Sequence, residues 1–180
     1  FVGYGEDGFT PNEFDITEAL NVDGDNVLTV ACYEYASASW LEDQDFWRLH
    51  GLFRSVELAA QPRVHVETVQ IEADYNPSMA AGTLNATLQL RNANDAATVK
   101  AKLRDANGTV VWESTQCANE TITLNSGALK NIAPWSAEEP TLYELTVLVV
   151  GHDGPLVEKI VQRIGFRTFR IEDGIMKLNG

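Results

Sequence analysis

Cysteine, methionine and basic residues are scarce in this sequence of 180 residues. The two cysteines, Cys32 and Cys117, do not form the dense pattern of a disulfide-stabilised secreted scaffold, and we predict buried free thiols. The 13 Lys and Arg residues against 26 Asp and Glu give a formal net charge of −13, which argues against nucleic acid as a partner. The three histidines lack metal-ligand spacing and a paired cysteine, which argues against a zinc site.

Long apolar runs are also missing. The longest, such as residues 146–150, are far shorter than the ~20 residues that cross a bilayer, so no membrane partner is expected. Residues 1–4 are typical of the inside of a strand, and residues 176–180 of a strand entering a turn. We therefore expect the chain to be an excised piece of a longer protein.

Charge is distributed unevenly along the chain. Residues 1–62 hold 12 acidic and 2 basic residues, whereas residues 63–180 hold 14 acidic and 11 basic residues. The change coincides with Gln61-Pro62-Arg63, where one strand-like run ends and another begins. The sequence thus predicts two domains with a boundary near Pro62.

Alternation of apolar and polar residues with a period of two dominates the second part. Residues 84–91 alternate without a break and residues 99–103 repeat the pattern, as expected of half-buried strands. Asn107-Gly108 and Asp173-Gly174 predict hairpin turns. Residues 63–170 contain about seven such strands, which predicts an antiparallel β-sandwich of immunoglobulin-like type, although a Cys–Trp–Cys framework is lacking.

Two local features refine this prediction. The apolar parity shifts between Val66 and Val69, which predicts a β-bulge. In the first part, strands are predicted at 1–4, 13–16, 26–35 and 53–60, and residues 17–20 are the only helical turn. Four strands make a thin core, so we expect this part to complete a larger sandwich.

Two motifs in the first part carry a resemblance to a known family. Residues 2–17 and, most strongly, residues 41–58 resemble the sugar-binding domain of β-galactosidases of glycoside hydrolase family 2, and residues 26–30 continue the resemblance. Downstream, residues 134–136, 140–143 and 164–167 are similar to the following immunoglobulin-like domain of that family. Residues 173–180 resemble the hairpin that leads into its catalytic barrel.

The resemblance implies an all-β fold. Residues 1–62 would be the C-terminal part of a galactose-binding-like jelly-roll sandwich, residues 63–170 an immunoglobulin-like β-sandwich, and residues 171–180 a hairpin leading into a missing (β/α)8 barrel. The parent would hydrolyse terminal non-reducing β-D-galactose residues in lactose-type substrates during carbohydrate metabolism. Retaining hydrolysis uses two carboxyl groups ~5–5.5 Å apart, and in this family both come from the barrel, so the chain alone is expected to be inactive and to hold no catalytic residue.

Asp45 is the one functional residue that the resemblance assigns here. Its carboxylate would enter the active-site pocket, bind galactosyl hydroxyls and ligate sodium, as a hard oxygen ligand can. The other sodium ligands would lie on the barrel, so no cofactor is expected in this chain alone, and the parent is expected to use sodium and magnesium. The alternative is that Asp45 belongs to a solvated acidic loop, and Glu42 and Asp43 do not complete a catalytic pair with it.

The aromatic and basic neighbours of Asp45 are more ambiguous. Trp40 and Trp47 could stack on sugar, but a loop tryptophan more often packs under its own sandwich. Arg48 and Arg54 are interpreted as structural, pairing with acids or carbonyl groups, and a contact with the barrel is the alternative.

Other classes of protein remain open on the sequence. One is a free-standing carbohydrate-binding β-sandwich module, and another is the same region of a β-glucuronidase or β-mannosidase. The galactosidase branch is favoured by the run Leu-Glu-Asp-Gln-Asp-aromatic-Trp at 41–47. We expect a cytoplasmic, homo-oligomeric parent, and a fragment that self-associates through exposed strand edges.

Overall fold

The structure is a computed structural model that describes residues 1–42 and 51–180. Its contacts divide the chain into two compact units, Phe1–Ala59 and Ala60–Gly180. The first unit holds a 3-10 turn at Thr17–Ala19 and helix α1 at Ser39–Glu42; the second holds a 3-10 turn at Ala93–Asp95. The strands of the second unit are β1 (His65–Asn76), β2 (Ala81–Arg91), β3 (Ala96–Arg104), β4 (Val110–Cys117), β5 (Thr121–Lys130), β6 (Tyr143–Gly151), β7 (Leu156–Ile164), β8 (Phe169–Glu172) and β9 (Ile175–Leu178).

The first seven strands form a sandwich of two antiparallel sheets, ordered β1-β2-β5 and β4-β3-β6-β7. The all-β fold class and the predicted number of strands are confirmed. In the constant-type immunoglobulin arrangement the fourth strand joins the sheet of the first two. Here β4 pairs with β3 instead. A five-residue turn holds this hairpin, because the Asp105 carboxylate accepts the N–H groups of Asn107 and Thr109 at 2.9 and 2.8 Å.

The core lies between the two sheets and consists mainly of aliphatic side chains from alternate positions, together with Tyr143 and Phe166. Each fully buried leucine or valine stabilises the fold by about 1.5–3 kcal/mol relative to an exposed one. The largest of these side chains, each less than 2% exposed, are Leu84, Leu88, Val99, Leu103, Ile122, Leu124, Leu145, Val147, Val149 and Phe166. The apolar residues at alternate positions of β2 and β3 are therefore the ones that the fold buries.

The predicted bulge is present in β1. The pairing register with β2 shifts between Val66 and Thr68, where one extra residue, Glu67, is accommodated. The N–H of Val66 donates to the carboxylate of Glu158 on β7 at 2.7 Å. A donor that the bulge removes from the ladder is thus satisfied from the opposite sheet, and the edges of the two sheets are joined.

One end of the sandwich is organised around Tyr143 and Phe166. The two rings meet edge to face with centroids 5.2 Å apart. The Tyr143 hydroxyl accepts the N–H of Ala133 at 2.9 Å, ten residues upstream. This contact matches the tyrosine corner of immunoglobulin-like sandwiches, in which a tyrosine near the start of this strand bonds to upstream backbone.

Strands β8 and β9 form the predicted hairpin at Asp173-Gly174. Both turn residues have positive φ, 52° and 76°, as a two-residue turn with the twist of the flanking strands requires. The Asn107-Gly108 hairpin is also present, but with a longer turn in which only Gly108 has positive φ, at 82°.

Two expectations for local structure are wrong. In the described residues of the first unit, none of the four proposed strands forms a ladder, and α1 is a helical turn that the sequence pattern did not indicate. A strand needs a hydrogen-bonded neighbour and a second layer over its apolar face. The described residues of this unit provide neither, since side chains such as Val27, Leu28 and Leu58 are 90%, 65% and 77% exposed.

The cysteines are free, as predicted, but exposed and not buried. Cys117 is the last residue of β4, an edge strand, and its neighbour in the register is Thr98 on the outer side of β3. Cys32 lies in the irregular first unit. Strand-like sequence around a cysteine does not decide which face it occupies or whether that face is covered.

Gly82 offers a test of packing around Phe166. A Cβ atom at Gly82 would lie 2.6 Å from Cδ1 of Phe166 and 2.9 Å from Cγ2 of Ile132. We expect Gly82→Ala to lower the free energy of unfolding by about 1–3 kcal/mol, because both neighbours are buried. Urea unfolding would measure this change.

Gly151→Ala is the matched control. Gly151 is a buried strand residue, and its added Cβ would come no closer than 3.4 Å to Pro155 or Val157. Its substitution should change stability by less than that of Gly82. Equal effects at the two positions would show that the ring of Phe166 is not held as the structure describes.

Candidate functional site

Asp45, the predicted binding residue, lies outside the described residues, as do Asp43, Trp47 and Arg48. Its role toward sugar and sodium therefore stays a prediction. The structure does describe the residues on both sides of this segment, which we call the Asp45 segment (residues 43–50). These flanks are tied to one turn near the start of the chain.

That turn, residues 5–12, is organised by Asp7. Its carboxylate accepts the N–H groups of Phe9 and Thr10 at 2.8 and 3.0 Å and the Thr10 hydroxyl at 2.5 Å. These donors stabilise the carboxylate anion and so lower the pKa of Asp7, and the Thr10 hydroxyl makes the largest contribution. The Asn12 amide donates to the Asp7 carbonyl at 3.1 Å and closes the turn.

Glu6 connects this turn to the residues before the Asp45 segment. Its carboxylate accepts the hydroxyl of Tyr4 at 2.5 Å and the hydroxyl of Ser37, which lies two residues before α1. Ser37, and then Tyr4, lower the pKa of Glu6. The hydrogen bond to Glu6 raises the pKa of Tyr4, since it stabilises the protonated phenol that donates it.

The residues after the Asp45 segment contact the other end of the turn. The Arg54 guanidinium donates to the carbonyl of Phe9 at 3.1 Å, which is the structural role predicted for Arg54. The rings of Phe9 and Phe53 meet with centroids 6.5 Å apart, and Arg54 lies over the Phe53 ring at 5.3 Å. Both resemblance motifs of the first unit therefore meet at one turn.

Trp40 lies in α1, immediately before the Asp45 segment, and is 85% exposed. The packing expected of a loop tryptophan is not seen within the described residues. Leu41 beside it is 76% exposed. The helix thus presents two large apolar side chains to solvent next to the segment that carries the predicted binding carboxylate.

In the second unit, the three downstream motifs converge on Trp135. The backbone N–H of Trp135 donates to the carbonyl of Phe166 at 2.8 Å, and the Arg167 guanidinium lies 4.8 Å from the centroid of the Trp135 ring. Gly165 allows this approach, because an added Cβ would lie 2.8 Å from Cβ of Trp135. The amide of Asn179 donates to the Trp135 carbonyl at 3.1 Å.

Thr168 and Asp74 complete the anchor of the β8–β9 hairpin, and sequence reasoning missed both. The Thr168 hydroxyl donates to the Asp74 carboxylate and accepts the N–H of Tyr75 at 3.2 Å. Asn179 and Thr168 also exchange two hydrogen bonds, of 2.9 and 2.8 Å. No sequence signal marks Asp74, because it reads as an ordinary polar position of an alternating strand.

The anchored hairpin has one apolar face. The register pairs Phe169 with Leu178 and Ile171 with Met176, so these four side chains share a face. They are 62%, 37%, 70% and 70% exposed. A two-stranded ribbon is at best marginally stable in water without a covering layer. Within the described residues, this face has no covering layer.

Within residues 1–42 and 51–180 there is no group of three or more His, Cys, Asp or Glu residues that could hold a metal ion. The described helices include none that is long and apolar enough to cross a membrane.

Comparison with known proteins identifies two family domains in the chain. Residues 64–167 match "Glycosyl hydrolases family 2", and residues 1–62 match "Glycosyl hydrolases family 2, sugar binding domain". Among solved structures, a β-glucuronidase from Ruminococcus gnavus in complex with D-glucuronic acid is similar, with a TM-score of 0.53 and 21% identity. The match covers 66% of this chain and 18% of that chain, and it shows the fold alone.

Curated relatives match the whole of this chain. Beta-galactosidase BgaC of Bifidobacterium adolescentis is 66% identical over 194 residues, and the beta-galactosidase of Streptococcus thermophilus is 47% identical over 182 residues. The chain spans 18% and 17% of the length of these two relatives. The family match covers more than half of the sequence, and the chain belongs to the glycosyl hydrolases of family 2.

Proposed function

We propose that this chain is a non-catalytic internal region of a β-galactosidase that hydrolyses terminal non-reducing β-D-galactose residues of lactose-type substrates. The observation that supports it is the match of curated β-galactosidases over the full chain, at 66% and 47% identity, although the chain spans less than a fifth of their length. The region positions the catalytic barrel and supplies Asp45 to the active site.

Galactose is favoured over glucuronate by the same comparison. The β-glucuronidase from Ruminococcus gnavus shares the fold at only 21% identity. By contrast, the beta-galactosidases of Bifidobacterium adolescentis and Streptococcus thermophilus are 66% and 47% identical over the whole chain. Because substrate choice depends on individual side chains, the more similar relatives are the better guide.

The division of labour follows the proposed domains. Residues 1–62 complete the sugar-binding sandwich, residues 63–170 are a rigid spacer, and residues 171–180 lead into the barrel. The family matches at 1–62 and 64–167 and the unit boundary at Ala59–Ala60 support these limits. The apolar face of the β8–β9 hairpin supports the last assignment, since a barrel packed there would cover it.

The chemistry of this region is binding and not bond cleavage. Two barrel carboxyl groups would act as nucleophile and acid/base in retaining hydrolysis. Asp45 accepts hydrogen bonds from galactosyl hydroxyls, and a carboxylate acceptor makes these stronger than neutral ones. When bound, sodium would supply positive charge near the sugar, and Asp45 would be one of the residues that hold it. One carboxylate is a chemically suitable oxygen ligand, and the remaining ligands would come from the barrel.

The turn at residues 5–12 has a positioning role in this proposal. Glu6 binds Ser37 on one side of the Asp45 segment, and Phe9 binds Arg54 on the other. Fixing both flanks limits the conformations open to the segment and reduces the entropy lost when Asp45 binds substrate. We extend the proposal to a cytoplasmic, homo-oligomeric parent with magnesium as its second cation.

Asp45→Asn in the parent enzyme tests the central assignment. The substitution keeps the size of the side chain and removes its charge. We expect kcat/KM for an aryl β-galactoside to fall by roughly 10- to 150-fold, the loss of about 1.5–3 kcal/mol of charged hydrogen bonding. The response of activity to added sodium should be lost as well.

Asp43→Asn is the matched control, two residues away in the same segment. It should keep both the activity and the sodium response. If Asp45→Asn retains both, residues 41–45 are a structural loop and the role of the region is architectural. Galactoside hydrolysis by the unmodified parent separately tests the proposed activity.

Glu6 provides a pH-dependent test of the positioning contacts. Its pKa is lowered in the folded chain, so its contribution is present above the ordinary pKa of glutamate and is lost as pH falls through the lowered value. We expect Glu6→Gln to speed amide exchange at residues 37–41 at neutral pH, with no difference from the unsubstituted chain in acid. Hydrogen exchange followed by NMR would measure both.

Two further variants identify the partner responsible. Ser37→Ala should raise the pKa of Glu6 more than Tyr4→Phe does, because the Ser37 hydroxyl is the larger cause of the shift. A Glu6 carboxyl that titrates identically in all three chains would show that the turn is not tied to residues before the Asp45 segment.

A further inference from the structure

The outer face of the four-stranded sheet differs from the rest of this acidic chain. The register of β4, β3, β6 and β7 determines which side chains share that face. Its charged members are five basic and two acidic residues, although the whole chain has twice as many acidic as basic residues. These charged residues are Lys100, Lys102, Arg104, Lys159, Arg163, Glu113 and Glu144.

Apolar side chains lie beside this basic group. Leu148 and Val150 on β6 are half-buried, and Leu156 and Val161 on β7 are 57% and 45% exposed. At the end of the same two strands, a surface depression of about 720 Å³ is lined by Leu142, Glu144, Val161, Gln162 and Arg163. Basic and apolar side chains together form a surface that we call the basic face.

The opposite outer face shows that this composition is not general. On the β1-β2-β5 sheet, the corresponding central positions are hydroxyl and amide residues with a single charge, Glu72, and none is apolar. These positions are Thr68, Gln70, Glu72, Asn85, Thr87, Gln89, Thr121, Thr123 and Asn125. One sandwich thus carries a neutral polar face and a basic, partly apolar face.

Protection of sheet edges does not explain the basic face. Charged residues on edge strands prevent unwanted strand pairing, and this accounts for Lys159 and Arg163 on β7. Strand β3, however, lies between β4 and β6, and it carries Lys100, Lys102 and Arg104. Within the described part of the chain, Lys100, Lys159 and Arg163 form no ion pair, whereas Lys102 pairs with Glu113 at 3.3 Å.

A segment of complementary chemistry lies in the first unit. Residues 21–27 form a turn in which Asn21 and Asn26 exchange hydrogen bonds of 2.7 and 2.8 Å. The turn presents Asp23 and Asp25, both exposed, between Val22 and Val27, which are 92% and 90% exposed. Two carboxylates flanked by two valines match a surface of basic and aliphatic side chains.

We propose that the basic face of one copy of the chain binds the turn at residues 21–27 of a second copy. The carboxylates of Asp23 and Asp25 pair with basic side chains of β3 and β7, and the valines cover the aliphatic residues of β6 and β7. Such opposite charges steer association and fix its register, and the apolar contact supplies the burial. This contact is independent of the glycosidase proposal.

Charge reversal in the 180-residue chain tests the contact. We expect a dimer in sedimentation velocity that dissociates as salt is raised, because exposed charge pairs are screened. Lys100→Glu/Lys159→Glu should raise the dissociation constant at least about tenfold. Arg63→Glu/Lys130→Glu makes the same change of charge away from the basic face and should leave it within about twofold.

The occupant is tested from the other side. Asp23→Lys/Asp25→Lys should weaken the dimer to the same extent as Lys100→Glu/Lys159→Glu, and the chain with all four substitutions should recover it. Glu120→Lys/Asp153→Lys, at exposed acidic positions of the second unit, is the control and should have no such effect. Circular dichroism of each variant verifies the fold.

Three results would overturn the proposal. A chain that is monomeric at low salt and high concentration lacks the contact. A second result is a dimer that keeps its dissociation constant in Lys100→Glu/Lys159→Glu and dissociates in Ile171→Ser/Met176→Ser. That result would show that the chain associates through the β8–β9 hairpin instead. Failure of the four-substitution chain to recover the dimer, when both pairs weaken it, would show that the two surfaces do not meet each other.

Discussion

The placement of Phe166 is the constraint on which the second unit depends. Its ring is fully buried and packs on Tyr143, and it approaches the backbone so closely that only glycine fits at position 82. Because its carbonyl accepts the N–H of Trp135, the loop before β6 is fixed to the chain that leaves β7. The following residues, Arg167 and Thr168, are then directed along the end of β1. The hairpin owes its orientation to a core contact and not to its own short strands.

Each of the two units is stabilised by a different kind of interaction, and this difference suits their proposed roles. The second unit buries a continuous core that is mainly aliphatic. The described part of the first unit relies on exposed hydrogen bonds to carboxylates, of which Glu6 and Asp7 are the centres. Exposed contacts of this kind are weak one by one. A packed core suits a spacer, and the contacts on both flanks of the Asp45 segment suit the positioning role proposed for the turn at residues 5–12.

Much of the second unit could be predicted from sequence, because burial there follows local alternation. The bulge near Val66, the hairpin at Asp173-Gly174 and the number of strands are examples. The contacts of Asp74 with Thr168 could not be predicted, since they join residues 94 positions apart and no local pattern marks them. The four strands proposed in the first unit failed for a related reason. Apolar alternation indicates a surface that requires a partner layer, and it does not supply that layer.

Exposed apolar surface therefore carries much of the information about what this region does. The β8–β9 hairpin presents four apolar side chains on one face, and the outer face of the four-stranded sheet combines aliphatic with basic residues. These surfaces call for different partners. An uncharged apolar face suits a permanent contact within one polypeptide, where desolvation is complete. A basic and apolar face suits association between separate molecules, since charge raises the rate and selectivity of encounter before apolar burial stabilises the complex. The second unit thus carries two surfaces suited to different partners, one on the β8–β9 hairpin and one on the four-stranded sheet, and the neutral polar face of the sandwich suits contact with water.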